Sequence, residues 1–254
     1  MSRRWLAGAQ LYSNAVALPA GNHTFRIQFG NKNREYIIHV PVGASTALPL
    51  LLAFHGGGGE AAGFQHYAGL DAVSDREKFF VVYPYGTGVF PQRLLTWNSG
   101  ECCSYGMKNN VDDVGFAISV IDDVTRRTRV DTKRIYATGH SNGAMMSYWL
   151  AAEHAERIAA IVPVSGAYNL AKFAPSQPVA VLDMHSVDDP RALNNGGMGP
   201  AFRGTQERSL HRPVMVGIHR WTVNNKCGGD STVTETRTGT AGTDNACQTA
   251  TLLV

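Results

Sequence analysis

The chain has 254 residues, of which 44% are hydrophobic, and its formal net charge is only +3. This length suits a single α/β domain, and the hydrophobic content is sufficient for a large core. The small charge and the lack of a basic stripe with interleaved aromatic residues give nucleic-acid binding no support, and the apolar runs are too short to span a membrane.

Strands and helices are predicted to alternate along most of the chain. The predicted strands cover 24–29, 35–40, 48–54, 79–84, 134–138, 158–164 and 179–185, and the predicted helices cover 66–77, 111–127, 144–154 and 213–223. A last segment, 248–254, is predicted to open a final strand that is incomplete. The alternation predicts one domain over 24–254, a mainly parallel sheet with helices on both faces, preceded by an extension over 1–23 that resembles a degenerate signal or leader.

Ser141 is the predicted nucleophile. It lies in Gly139-His140-Ser141-Asn142-Gly143, between a predicted strand and a predicted helix. A serine flanked in this way by glycines is typical of a nucleophile elbow, and the helix N-terminus favours an oxyanion. The same short pattern also occurs in ordinary turns, where Ser141 would be only a helix cap.

A glycine run follows the predicted strand 48–54 and indicates an oxyanion loop. The run is His55-Gly56-Gly57-Gly58-Gly59. We expect the oxyanion hole to consist of the Asn142 N–H and the N–H of Gly57 or Gly58. A phosphate-binding loop fits less well, since no Lys-Ser or Lys-Thr follows and Glu60 would repel a phosphate.

Two further blocks, Thr96-Trp97-Asn98-Ser99-Gly100-Glu101-Cys102-Cys103 and Asn110-Val111-Asp112-Asp113-Val114-Gly115-Phe116, complete a family pattern. From about residue 39 to 247 the chain resembles the α/β-hydrolase esterases that include polyhydroxybutyrate depolymerase-like and feruloyl or acetylxylan esterase-like enzymes. The resemblance implies a Ser-Asp-His hydrolase without a cofactor, acting on a small-molecule or polymeric carboxylic ester. It gives no oligomeric state.

The acid is expected just after the predicted strand 179–185, because active sites in such sheets lie beyond the carboxyl ends of the strands. Asp189 is the first choice and matches the family's His-Gly-x-x-Asp-Pro loop, although Ser186 replaces its glycine. Asp188 is the reserve, and both could be simple turn residues. Asp112 and Asp113 are expected to complement a helix dipole rather than to act as acid and base.

The catalytic histidine is harder to assign. Only His211 and His219 follow Asp189, and neither is on a predicted loop after a strand. Family members continue to a Gly-His-x-Trp-Pro-Gly motif, and this sequence ends before it. Of the other histidines, His55 is expected in the oxyanion loop and His140 to point away from Ser141; none has the spacing of a metal site.

Three interpretations remain open. The chain could come from an esterase gene truncated at its 3′ end, with most activity lost. It could be a complete esterase that uses His211 or another recruited base. It could also be a hydrolase-fold protein without activity that binds esters, glycans or a partner.

His55, Trp97 and His140 are candidate substrate contacts, and Tyr105 and segment 191–205 could line an acyl or aryl pocket. Cys227 and Cys247 bracket a stretch rich in Gly, Ser and Thr, and we expect a disulfide between them. Two free thiols would be favoured only in a reducing cytosol. Together with the family resemblance, this pair predicts a secreted or periplasmic protein. We also expect that Cys102 and Cys103 are not exposed free thiols.

Overall fold

The computed structural model describes residues 18–170, 172–202, 205–228, 236–238 and 248–250. The strands are β1 Gly21–Phe29, β2 Lys32–Val40, β3 Leu48–Phe54, β4 Phe80–Pro84, β5 Val130–His140, β6 Ala160–Val164, β7 Ala180–Val181, β8 Gly197–Met198, β9 Leu210–His211, β10 Thr236–Thr238 and β11 Gln248–Ala250. The helices are α1 Ala61–Ala68, α2 Leu70–Glu77, α3 Ser104–Lys108, α4 Asp113–Arg127, α5 Asn142–Glu153 and α6 Val214–Asn224.

The main sheet has seven strands in the order β1-β2-β4-β3-β5-β6-β7. The pairs β1–β2 and β2–β4 are antiparallel, and the remaining neighbours are parallel. The mainly parallel sheet is therefore as predicted. The strands β3 and β5 lie side by side near its centre, so the loops at their carboxyl ends meet at one edge of the sheet.

Side chains that alternate along the strands separate two layers of the core. Ile37 and Val81 face the side covered by α1 and α2. Ile38 and Val82 belong to the larger cluster on the opposite face, with side chains from α4 and α5. Helices thus cover both faces of the sheet. None of the helices in the described ranges combines the length and the apolar character needed to cross a membrane.

Several predicted boundaries change. The helix predicted over 66–77 is two helices, because Gly69 adopts a left-handed conformation with φ 61° between them. The strand predicted over 179–185 is only two residues long, with a single further bridge from Met184 to Val164.

The prediction that the C-terminal segment adds a strand to the main sheet is wrong for the residues described there. Strand β11 pairs antiparallel with β10 in a separate two-stranded sheet. A pairing between segments close in sequence requires a shorter loop to close than a pairing with the main sheet does.

Candidate active site

Ser141 occupies a sharp turn between β5 and α5. Its backbone has φ 56° and ψ −117°, outside the regions that non-glycine residues favour. A Cβ atom on Gly139 would collide with the carbonyl group of Gly143, and one on Gly143 would collide with the Phe54 carbonyl. The Ser141 side chain does not cap α5, so the interpretation of this residue as an ordinary helix cap lacks its hydrogen bond.

The glycine loop after β3 lies against this turn. A methyl group placed on Gly56 would be 3.7 Å from Ser141 Cβ, and one on Gly57 would be 3.4 Å from Asn142 Cβ. The Gly58 N–H donates to the Leu95 carbonyl at 2.8 Å. The prediction that Gly58 could supply a donor to the oxyanion hole is therefore wrong, because its N–H is already bonded. Within the described ranges the Gly57 N–H has no such backbone partner. Asn142 is the first residue of α5, and the first N–H groups of a helix have no carbonyl partner within that helix.

His55 and Trp97 were predicted to contact substrate, and the structure corrects both. His55 is 1% exposed, its Nδ1 hydrogen-bonds the Gly56 carbonyl at 2.8 Å, and its Nε2 accepts the Gly86 N–H at 3.0 Å. Burial lowers the pKa of His55 from 6.5 to about 4. The fully buried Trp97 donates from Nε1 to the His55 carbonyl at 2.9 Å. Both residues support the glycine loop from beneath.

His140 does not line the cavity above Ser141, so the prediction that it contacts substrate is also wrong. Its ring lies 6.3 Å from that of Tyr67, centroid to centroid. Burial lowers the pKa of His140, and the charge of Asp189 opposes the shift.

The segment 97–99 is held by groups distant in sequence. Asp113 is 1% exposed, pairs with Arg34 at 2.8 Å and accepts the Asn98 N–H at 2.7 Å. Burial raises the pKa of Asp113, although Arg34 acts against this. Its neighbour Asp112 caps α4 by accepting the Gly115 N–H at 2.7 Å. Asp112 therefore has the expected helix-terminal role, whereas Asp113 mainly anchors the segment.

A cavity of about 710 Å³ lies over Ser141, Gly57 and Asn142. Val89 and Leu94 form part of its rim and are 74% and 60% exposed. The cavity is therefore open and partly apolar at its mouth, which suits the acyl or aryl portion of an ester.

Other walls of the cavity come from α3, from segment 191–205 and from the adjacent cysteines. Tyr105 lines it, as do Arg191 and Phe202 from segment 191–205. Cys102 and Cys103 line it as well and form a disulfide with each other. These two cysteines are not free thiols, as expected.

The predicted Cys227–Cys247 disulfide falls partly outside the described residues. Cys227 is exposed and forms no disulfide within the part of the chain that is described, and Cys247 lies outside that part. This pairing stays a prediction.

Asp189 lies in the loop after β7. One carboxylate oxygen accepts the N–H groups of Arg191 and Ala192, both at 2.8 Å, and the other lies 3.9 Å from His185 Nε2. Asp188 is exposed and accepts the Ser186 hydroxyl instead. Asp189 therefore has the more enclosed position of the two candidates.

His211 is the histidine that shares the cavity with Ser141. It ends β9, is 8% exposed, and its Nδ1 is buried with no hydrogen-bond partner among the described residues. Burial lowers the pKa of His211, and the charge of Asp189 partly offsets the shift. Across the described ranges no hydrogen bond joins Ser141, His211 and Asp189 to one another. His219 is exposed on α6.

The described part of the chain holds no group of three or more His, Cys, Asp or Glu residues placed to bind a metal ion. What the site does offer is a hydroxyl on a strained turn, free backbone N–H groups beside it and an imidazole on the wall of the same cavity. These are the parts required for nucleophilic attack on a carbonyl group.

Comparison with known proteins agrees with this arrangement. The family described as esterase PHB depolymerase matches residues 34–200. The chain is 28% identical over 211 residues to feruloyl esterase B of Piromyces equi, covering 78% of this chain and 36% of that protein. It is 30% identical over 138 residues to poly(3-hydroxyalkanoate) depolymerase C of Paucimonas lemoignei, covering 53% and 31%. The chain spans less than half the length of these curated relatives.

Among solved structures, the native crystal structure of sOPH superposes with a TM-score of 0.57 at 16% identity, covering 80% of this chain and 74% of that one. At this identity the likeness concerns the fold, which is that of the α/β-hydrolases, as the sequence predicted. The family match covers most of the described sheet and includes the glycine loop and the Ser141 turn. The chain belongs to the esterase PHB depolymerase family.

Proposed function

We propose that this protein is a serine hydrolase that cleaves carboxylic esters through an acyl-enzyme formed on Ser141. The observation that carries the proposal is the juxtaposition of the strained Ser141 turn with the free N–H groups of Gly57 and Asn142, all three at the floor of one cavity. Backbone donors fixed beside a nucleophile stabilise the negative charge that develops on the carbonyl oxygen.

In the first half of the reaction, Ser141 Oγ attacks the ester carbon, and the carbonyl oxygen becomes an oxyanion between the Gly57 and Asn142 N–H groups. The N-terminus of α5 adds its positive dipole end to this stabilisation. The alcohol then leaves with a proton. In the second half, water attacks the acyl-enzyme, and the acid is released.

His211 is our choice for the group that carries these protons, because it lines the cavity that contains Ser141. A pKa lowered by burial keeps its imidazole neutral, and hence able to accept the serine proton, near pH 7. The carboxylate of Asp189 stabilises the imidazolium that forms, since its charge raises the pKa of His211. Movement of the side chains is required to bring the three groups into hydrogen-bonding contact.

We propose esters of hydroxyalkanoate, feruloyl or acetyl type as substrates, either as small molecules or as ends of a polymer. The support is the open, partly apolar cavity and the names of the relatives, a feruloyl esterase and a poly(3-hydroxyalkanoate) depolymerase. We further propose a secreted or periplasmic location, supported by the Cys102–Cys103 disulfide, because disulfides persist in oxidising compartments.

The test of the proposed function is covalent labelling combined with turnover. A fluorophosphonate should label the parent protein at one residue, Ser141, and a series of short nitrophenyl esters, methyl ferulate and hydroxybutyrate oligomers should reveal the preferred ester. Ser141→Ala should abolish labelling and leave only the background of the oxyanion hole. Ser186→Ala is the control, because among the described residues the Ser186 hydroxyl hydrogen-bonds Asp188 alone. Labelling that persists in Ser141→Ala would refute the assignment.

A further inference from the structure

The side chain of Asn142 makes more hydrogen bonds than the backbone role of this residue requires. Its Oδ1 accepts the Trp97 N–H at 2.7 Å, and its Nδ2 donates to the Trp97 carbonyl at 3.1 Å and to Ser99 Oγ at 3.0 Å. Asn142 is 2% exposed. Because both ends of the amide are bonded, the orientation of the side chain is fixed.

Ser99 connects this amide to the cavity wall. It is fully buried, and its Oγ accepts from Asn142 and donates to the Cys102 carbonyl at 2.7 Å, a much shorter contact than the alternative acceptor Met145 Sδ at 3.6 Å. The Ser99 N–H donates to the same carbonyl at 2.6 Å. A hydroxyl that donates and accepts at once has a determined direction, and neighbouring bonds in such a chain strengthen each other.

Asn142 begins α5, where a short polar side chain often turns back and bonds nearby backbone groups. Here Trp97 and Ser99 hold the amide away from the helix terminus, and the N–H of the same residue remains free to face the oxyanion. Oxyanion donors must lie within about 2.7–3.1 Å of the charged oxygen, so a small rotation of this peptide weakens the hole.

We propose that Ser99 is a positioning residue that, through the Asn142 side chain, fixes the Asn142 N–H of the oxyanion hole against the Cys102–Cys103 wall of the cavity. This inference rests on the proposed function of Ser141 and its hole. Without the Ser99 hydroxyl, Asn142 Nδ2 keeps only one partner, and a buried donor is left partly unsatisfied. The oxyanion develops in the transition state and the tetrahedral intermediate and is absent from the bound ester, so the loss falls on kcat and not on KM.

Turnover of a short nitrophenyl ester tests this with three variants at Ser99 and one control. Ser99→Ala should lower kcat about tenfold, less than the roughly hundredfold or more expected when an oxyanion donor is removed outright, with KM within about twofold. Ser99→Thr should retain most of kcat. Ser99→Val, which has the shape of threonine without its hydroxyl, should behave like Ser99→Ala and replaces it if the alanine variant does not fold.

Ser147→Ala is the matched control, because Ser147 is equally buried on α5 and its hydroxyl donates, within the described ranges, to the Ala144 carbonyl alone, at 2.7 Å. It should keep kcat within about twofold of the parent. An equal fall in Ser99→Ala and Ser147→Ala, a change in KM alone, or equal kcat in the Thr and Val variants would overturn the inference.

A second measurement is independent of turnover. In protein labelled with ¹⁵N-asparagine, the resonance of the Asn142 backbone N–H should shift in Ser99→Val, and the hydrogen exchange of this N–H should accelerate. Neither change should occur in Ser99→Thr or Ser147→Ala. An unchanged resonance in Ser99→Val would overturn the positioning role. A shifted resonance in a protein whose parent hydrolyses no ester would support the positioning role and count against the proposed function.

Discussion

The two sides of the cavity are built differently. On one side, the Ser141 turn and the glycine loop follow long central strands, β3 and β5, and are fixed by backbone contacts with buried neighbours. On the other side, Asp189 and His211 lie in a segment whose described strands, β7, β8 and β9, have two residues each. The comparison shows that the sheet holds Ser141 and the proposed oxyanion-hole groups in place, whereas a loop holds the proposed acid Asp189 and a two-residue strand holds the proposed base His211.

The largest effect should come from the loop side. His211→Ala removes the imidazole that shares the cavity with Ser141, so kcat/KM should fall by about 10²- to 10⁴-fold. The parent should gain activity as the pH rises through a value below 6.5, because the pKa of His211 is lowered and only the neutral imidazole accepts a proton. Steady-state kinetics against pH provides both results.

His219→Ala is the control for this prediction, since His219 is exposed on α6. It should behave like the parent protein. Parent-like turnover in His211→Ala would show that the base is another group. The segment that contains Asp189 and His211 would then not supply the base.

The buried Arg34–Asp113 pair should contribute strongly to the rigidity of the side of the cavity that contains Ser141. Asp113→Asn leaves Arg34 buried without its carboxylate, and breaking such a pair costs about 3–5 kcal/mol of unfolding free energy. The neighbouring change Asp112→Asn keeps a good helix cap and should cost far less. Denaturant unfolding compares the two variants. Equal losses would mean that the buried pair contributes no more than an exposed cap.

A third prediction concerns His55 beneath the glycine loop. Its pKa of about 4 in the folded protein lies below 6.5, so the unfolded chain binds the proton first as the pH falls. The stabilisation of the folded state by neutral His55 is complete above pH 6.5. As the pH falls from 6.5 to 4, the free energy of unfolding should decrease by roughly 3 kcal/mol. Unfolding measured at several pH values should show a shallower slope in His55→Gln. An unchanged slope would assign the loss to other groups.

The smallest effect distinguishes the two acid candidates. Asp189→Asn removes the charge that raises the pKa of His211, and kcat/KM should fall about tenfold. Asp188→Asn should be nearly neutral, since Asp188 is exposed and bonds Ser186. The pair of variants is compared with one nitrophenyl ester. A larger loss in Asp188→Asn would reverse the assignment.

The same contrast explains what the sequence could predict. Ser141 and Gly57 can be nominated from the sequence because a strand, a glycine turn and a helix are local patterns. The supporting roles of Trp97 and Asp113 were missed because each depends on partners far along the chain, such as His55 and Arg34. The block around Ser99 stands out in the sequence only as a family pattern, and no local signal indicates that its hydroxyl would meet Asn142.

The strained backbone of Ser141 also affects which residue evolution keeps at this position. A residue with a side chain at φ 56° and ψ −117° carries about 1–3 kcal/mol of strain that a glycine would avoid. Ser141→Gly should therefore be more stable than Ser141→Ala, and mutation without selection for hydrolysis should drift toward glycine at this turn. We expect a serine to persist at this turn only where its hydroxyl is used.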